Sequence, residues 1–408
     1  MEETTDKLTG DLQSKKVQLH WLLQITKAIN YNLPAEQLYQ IYETVLHDHL
    51  KAGKLSLFVN ENGWKQVLSY GMKEELGRLQ PELFLNEISF SKSKTIVTPQ
   101  WLEKDESVIP VYHNEILLAY CIVGAIDPSQ SISIKEVVPF IHTITNIIVV
   151  AIENKRLNKE AVAQAGFRKE LELAAEMQEM LFPTGLCGNE YFEIATHYLP
   201  HQQVGGDYYD FISLSKHEHI FCMADVSGKG MAAALLMSNF QANLHALIKN
   251  RPVLTNLVAE LNDCVSKTAK GEKFITFFIG LINFKEGKIN YVNAGHNPPV
   301  LFSKNKTVLL DRGTIGLGMF DELPFINEGH VIINNGDSVF CYTDGITELE
   351  NLKGDFYGME ALKLFIEENM NNSSLDDFHK KLIAHLDQFR EGNNFSDDVT
   401  ILSLRSLC

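Results

Sequence analysis

The sequence predicts an α+β protein in two parts, and three observations carry that expectation. Strand-patterned and helix-patterned segments come in separate runs, which indicates α+β layers rather than strands and helices in strict alternation. A stretch rich in Glu, Lys, Ala and Gln over residues 153–182 divides the chain. Short aspartate-glycine phrases stand at strand ends in the second part. With 408 residues and 45% hydrophobic content, there is material for two packed cores.

Residues 1–16 are polar and charged and are expected to be disordered. Val17, Trp21, Ile25 and Ile29 then place one apolar stripe along a helix over Val17–Tyr31, and a second helix follows over Glu36–Leu50. Gly53 breaks that pattern. Leu55–Val59, Trp64–Tyr70, Ser107–Val111 and Ile116–Ile126 read as strands, the last two joined by a turn at His113-Asn114. Ser133 and Glu136 form a capping box, and the apolar run Phe140–Ile152 of the helix it starts closes a domain over 17–152. Two helices, an antiparallel sheet and a closing helix resemble a GAF-type sensory domain in architecture. His20, His47, His49 and His113 are isolated and read as surface or core residues rather than ligands.

From 153 to 182, Phe167, Leu171, Ala174, Met177 and Leu181 recur at three- and four-residue steps. The pattern predicts a helical, coiled-coil linker with one narrow seam, through which two copies would form a homodimer. Gly166 is a point where it can bend, and Pro183 ends it. In the second domain, over 183–408, Tyr191–Leu199, Tyr208–Leu214, Ile220–Val226, Phe277–Phe284, Lys288–Asn293, Ser338–Tyr342 and Val399–Leu404 read as strands. Helices are expected over Met231–Lys249 and Val253–Ala269, and after Met359 and Leu375.

A net charge of −16 argues against a nucleic-acid binder, since affinity for the phosphate backbone rests on Lys and Arg. The six cysteines, Cys121, Cys187, Cys222, Cys264, Cys341 and Cys408, are far apart and read as reduced thiols. Met1–Lys16 lacks the apolar core of a signal peptide, and the longest apolar run, Ile147–Ile152, is too short to span a bilayer. A cytoplasmic protein without membrane insertion is expected.

The chemistry is concentrated in aspartates beside glycines. Asp207 follows Gly205-Gly206; Asp225 ends a strand and precedes Gly228 and Gly230; Asp344 follows the strand Val339–Tyr342; Asp397 and Asp398 precede the last strand. Carboxylate and carbonyl oxygens are what hard cations such as Mg²⁺ and Mn²⁺ prefer, and four carboxylates brought to one edge need cations between them.

The segments 204–210 (VGGDYYD), 225–230 (DVSGKG), 293–298 (NAGHNP), 342–348 (YTDGITE) and 396–400 (SDDVT), in that order, resemble the SpoIIE/RsbU-type branch of the metal-dependent protein serine/threonine phosphatases of the PPM superfamily. The similarity covers about Phe167–Leu404. It implies an αββα sandwich with two Mn²⁺ or Mg²⁺ ions, Asp225 bridging both, the Val226 carbonyl completing one shell, and Asp207, Asp344 and Asp397 as further ligands. Asp398 stays open as an alternative to Asp397. The activity implied is hydrolysis of phosphoserine or phosphothreonine by a two-metal-activated water, on a phosphorylated partner such as a STAS-type anti-sigma-factor antagonist, under control of the N-terminal domain. Where the eukaryotic branch has a histidine for the leaving group, this chain has Ser227, which leaves the general acid open.

His296 reads as fixing a turn, Lys229 as a solvated or phosphate-facing cation, and Asp210 and Glu348 as groups behind the ligands. The sequence also bears on two alternatives. A diguanylate cyclase signature needs a carboxylate where Tyr208 stands. A non-catalytic sensor or scaffold retaining the phosphatase fold would be expected to lack a metal carboxylate.

Overall fold

The computed structural model describes residues 2–61, 63–72, 106–113, 116–126, 134–249 and 253–408. They divide into two compact units, Met1–Ala165 and Gly166–Cys408.

In the first unit, α1 (Glu2–Asn30) and α2 (Ala35–Thr44), the latter continued by a π-helical turn over Val45–His49, precede the strands β1 (Ala52–Asn60), β2 (Trp64–Tyr70), β3 (Ser107–His113) and β4 (Ile116–Ile126). The strands form one antiparallel sheet in the order β2-β1-β4-β3. Period-two alternation sorts β1: Leu55, Leu57 and Val59 join the core with Ile25, Leu38 and Tyr42, while Phe58 stacks on Tyr120 across the other face. The expectation of a disordered 1–16 is corrected, because α1 begins at Glu2. Leu12 of this helix is exposed. The capping box at Ser133 and the turn at Asn114 lie outside the described residues.

The expected closing helix and linker are one element, α3 (Ile134–Glu179), whose helical bonding continues through Gly166. This helix also contains a stretch long and apolar enough to cross a membrane by length and composition, which counting only the unbroken run Ile147–Ile152 had missed. Val137, Val138, Ile141, Ile144 and Ile148 of that stretch are buried in the first unit's core.

The second unit continues with β5 (Phe192–Leu199), β6 (Tyr208–Ser213), β7 (Glu218–Val226), α4 (Met231–Ile248), α5 (Leu254–Ala269), β8 (Ile275–Asn283) and β9 (Lys288–Ala294). Four short strands follow that periodicity did not find: β10 (Val300–Ser303), β11 (Lys306–Leu309), β12 (Gly313–Thr314) and β13 (Gly329–Ile332). They are of two to four residues, below the length at which alternation is readable. The chain ends with β14 (Ser338–Tyr342), α6 (Asp344–Thr347), α7 (Gly358–Asn369), α8 (Leu375–Phe389) and β15 (Val399–Ser406).

Two sheets result, ordered β11-β10-β14-β15-β5 and β12-β9-β8-β7-β6, with β13 also on β9. Alternation again assigns the layers. Val339 and Cys341 of β14, with Leu402 and Leu404 of β15, share a core with the second sheet and with α4 and α5. Phe340, Tyr342, Val399 and Ile401, pointing oppositely, pack with α7 and α8. Helix, sheet, sheet and helix are thus stacked as the αββα resemblance implied.

Candidate metal centre

Register decides which strand ends meet. Tyr208 pairs with Ala224, so Asp207, one residue earlier, comes level with Asp225 at the same end of the second sheet. Tyr342 pairs with Ile401 and the Thr343 N–H donates to the Thr400 carbonyl at 3.2 Å, so Asp344 comes beside Asp397 and Asp398 at the end of the first. Two aspartates from one sheet and three from the other therefore converge at one end of the sandwich. A cleft of about 350 Å³ opens there, lined by Asp225, Val226, Asp344, Asp397, Asp398 and Lys229 among others. Asp207 is not in the lining; it is buried behind Gly206.

The electrostatics are those of carboxylates short of cations. Burial first, then the charges of Asp344, Asp397 and Asp398, pushes the Asp225 carboxyl up to about 7. Burial, then Asp397 and Glu348, takes Asp344 to about 6. Asp207 is also raised, by burial and then by Asp225 and Asp398. Among the described residues lining the cleft, Lys229 is the one Lys or Arg.

Each carboxylate is held differently. Asp207 Oδ2 accepts from Thr343 Oγ1 at 2.8 Å and also from Thr400 Oγ1. Asp397 Oδ2 lies 2.9 Å from Lys229 Nζ, which also donates to the Ser396 carbonyl at 2.5 Å. Asp398 spends both oxygens on backbone: Oδ1 accepts from the His201 N–H at 2.7 Å and Oδ2 from the Gly206 N–H at 3.0 Å. Asp397 faces the cleft half-exposed while Asp398 braces the turn ahead of Asp207. The glycines of that turn are required by space, since a Cβ on Gly205 would overlap Asp398 Oδ2 and one on Gly206 would stand 3.0 Å from the Val226 carbonyl.

Among the described residues no three Asp, Glu, His or Cys groups are already drawn together in metal-holding geometry. Asp207, Asp397 and Asp398 are instead turned to threonines, a lysine and backbone amides. The donor set nevertheless fits hard divalent cations: it is all oxygen, the cleft is open, and three of its carboxylates have raised proton affinity with a single ammonium opposite.

The neighbours read from sequence fall into place differently. The Ser227 hydroxyl accepts from the Phe274 N–H at 2.9 Å, tied into the extended β7–β8 pairing. His296 is buried, with Nδ1 2.9 Å from Thr276 Oγ1, while its backbone N–H donates to Asn293 Oδ1 at 2.8 Å, so the Asn293 amide rather than the imidazole holds the turn. Asp210 is away from the cleft, accepting from Tyr208 OH at 2.5 Å beside His245 Nε2 at 2.6 Å. Glu348 reaches the cluster through its charge on Asp344. Thr343, Thr400 and Gln178 were not singled out. The threonines lie inside the recognised motifs, but Gln178 carries no sequence signal that would set it apart from other helix glutamines.

A two-sheet sandwich carrying paired aspartates at one end defines a PP2C-type phosphatase domain, a class that depends on Mg²⁺ or Mn²⁺. Residues 215–406 match the family model described as Stage II sporulation protein E (SpoIIE). The chain is 29% identical over 244 residues to phosphoserine phosphatase RsbU of Bacillus subtilis (strain 168), covering 59% of this chain and 71% of the relative. It is 25% identical over 237 residues to phosphoserine phosphatase RsbP of the same organism, covering 57% and 56%. The fold is similar to that of the SiaA-PP2C domain of Pseudomonas aeruginosa, with a TM-score of 0.54, 17% identity and coverage of 60% of this chain and 99% of that one. Over the matched residues the second unit carries a SpoIIE-type phosphatase domain, homologous to RsbU and RsbP.

Proposed function

We propose that this chain is a cytoplasmic, metal-dependent protein serine/threonine phosphatase. The observation that supports this most is the convergence of Asp225, Asp344 and Asp397 at one cleft, with Asp207 buried just behind it and Asp207, Asp225 and Asp344 all raised in proton affinity. In this reading Asp225, Asp207, Asp344, Asp397 and the Val226 carbonyl hold two Mn²⁺ or Mg²⁺ ions, and Asp398 positions the Gly205-Gly206 turn. When bound, two such ions lower the pKa of a shared water and neutralise phosphoryl oxygens, so hydrolysis needs no covalent enzyme intermediate.

The protein's own share is to fix ligand positions. Thr343 and Thr400 orient Asp207 by hydrogen bonds, and Lys229 offers the cleft's ammonium to Asp397 or to an incoming phosphoryl group. The Ser227 oxygen accepts the Phe274 N–H, which ties this side chain to the backbone beside the cleft. The substrate proposed is a phosphorylated STAS-type anti-sigma-factor antagonist, with the GAF-like first unit as sensor and a homodimer formed through the linker segment of α3.

The test is hydrolysis of p-nitrophenyl phosphate, then of a phosphorylated STAS protein, by the full chain stripped with EDTA and reloaded with Mn²⁺. Mn²⁺-restored turnover of both is expected. No turnover with any divalent ion would leave the non-catalytic scaffold as the better reading.

A further inference from the structure

We infer that Gln178 is a positioning residue for the metal centre, acting through the turn that presents Asp207; the inference rests on the metal-dependent reading above. Gln178 lies in the last turn of α3 and is only 6% exposed, whereas its neighbours Met177 and Met180 are 64% and 77% exposed. Its carboxamide is used at both ends: Nε2 donates to the Gly205 carbonyl at 2.8 Å, and Oε1 accepts from the Gly205 N–H at 3.1 Å. One side chain thus satisfies both backbone groups of a glycine two residues ahead of Asp207.

The opposite side of the turn is held as firmly. Asp398 accepts from the Gly206 N–H, and an added Cβ on Gly205 would meet Asp398 and, at 2.5 Å, the Tyr198 hydroxyl. Gly205 is therefore gripped between the helix and the start of β15. Just beyond the helix, Phe182 packs on Tyr198, Tyr208 and Tyr209 with ring centroids 4.8, 6.0 and 5.2 Å away, which anchors this end of the chain beside the residues that follow Asp207.

Position 178 faces the protein on the same stripe as Leu171 and Ala174, where an apolar residue would satisfy packing alone. A buried amide is tolerated only when its hydrogen bonds are made, and here both go to a single residue of the GGD motif. Loss of the clamp frees the turn by the small displacement to which a hard-cation site is sensitive, and groups that orient metal ligands typically carry effects of roughly 10- to 100-fold on affinity.

The experiment measures Mn²⁺ binding to the full chain by isothermal titration calorimetry. Gln178→Met keeps the length of the side chain and removes both hydrogen bonds; Gln178→Glu keeps the shape and an acceptor, and serves if the first variant fails to fold. Leu382→Ala, on the buried face of α8, is the destabilised control. Either Gln178 variant should bind Mn²⁺ about tenfold more weakly or worse, while the control stays within about twofold of wild type. Wild-type affinity in the Gln178 variants, or equal weakening in Leu382→Ala, would overturn the positioning role. Absence of Mn²⁺ binding by the wild type, or binding unchanged in Asp225→Asn, would instead sink the metal reading on which it rests.

Discussion

Asp225 shows at the scale of one residue how function and stability oppose each other. It sits where desolvation and three neighbouring carboxylates all work against its charge, pushing it up to about 7. Asp225→Asn should lower Mn²⁺-dependent turnover by at least about 10²-fold, since the central ligand is lost. The same substitution should raise the melting temperature of the EDTA-treated protein near pH 8, because it relieves repulsion that Lys229 offsets only in part. Melting curves with and without Mn²⁺ check both halves: wild type should gain from the metal and the variant should not. A variant less stable than wild type in EDTA would refute the repulsion argument. The candidate aspartates were legible from sequence because several such phrases stand at strand ends in one fixed order, whereas a single Asp-Gly phrase is an ordinary turn signal. The choice between Asp397 and Asp398 was not, because adjacent residues differ only in which way the backbone turns them.

At the scale of elements, the segment expected as a linker presents two unlike faces. Leu171, Ala174 and Leu181 of the expected seam are half-buried, with Leu181 packed on the second unit's own core, whereas Phe167 and Met177 stay exposed. Leu173, Met177 and Met180 are 59%, 64% and 77% exposed and stand at i, i+4 and i+7, one continuous apolar face. If that face pairs two copies, light scattering at tens of micromolar should report a dimer, and Met177→Glu should weaken association by at least about tenfold. A wild-type monomer under those conditions would count against the homodimer. Helical periodicity marked the apolar residues, but not which of them the chain's own core would claim.

At the scale of the whole molecule, buried histidines and buried carboxylates pull stability in opposite directions as pH falls. Burial pushes His296 down to about 4 and His379, which is also beside His197, to about 3, so below about 6.5 the unfolded chain takes up protons that the fold refuses. Stability is lost on that account by up to about 1.4 kcal/mol per pH unit for each group. Asp225 and Asp344 are raised, so between about 7 and their unfolded value near 4 the fold holds protons that the unfolded chain does not, which stabilises. The metal-free protein should therefore change little in urea midpoint between pH 7 and 5. Metal-free Asp225→Asn, lacking the strongest of these two acid contributions, should lose stability over the same interval. Equal slopes for the two proteins would show that the carboxylates are not the opposing term.

The sequence by itself determined the α+β class and the aspartate-glycine phrases that the fold gathers at one end of the sandwich, because hydrophobic period and Asp-Gly phrases are local properties. Only the tertiary structure decided that Asp207 lies behind the cleft held by Thr343 and Thr400, that Asp398 braces backbone while Asp397 faces Lys229, and that Gln178 clamps Gly205. Each of these contacts joins residues between 27 and 197 positions apart. Strand register and the stacking of two sheets bring them together, and no local pattern records the register of a distant partner.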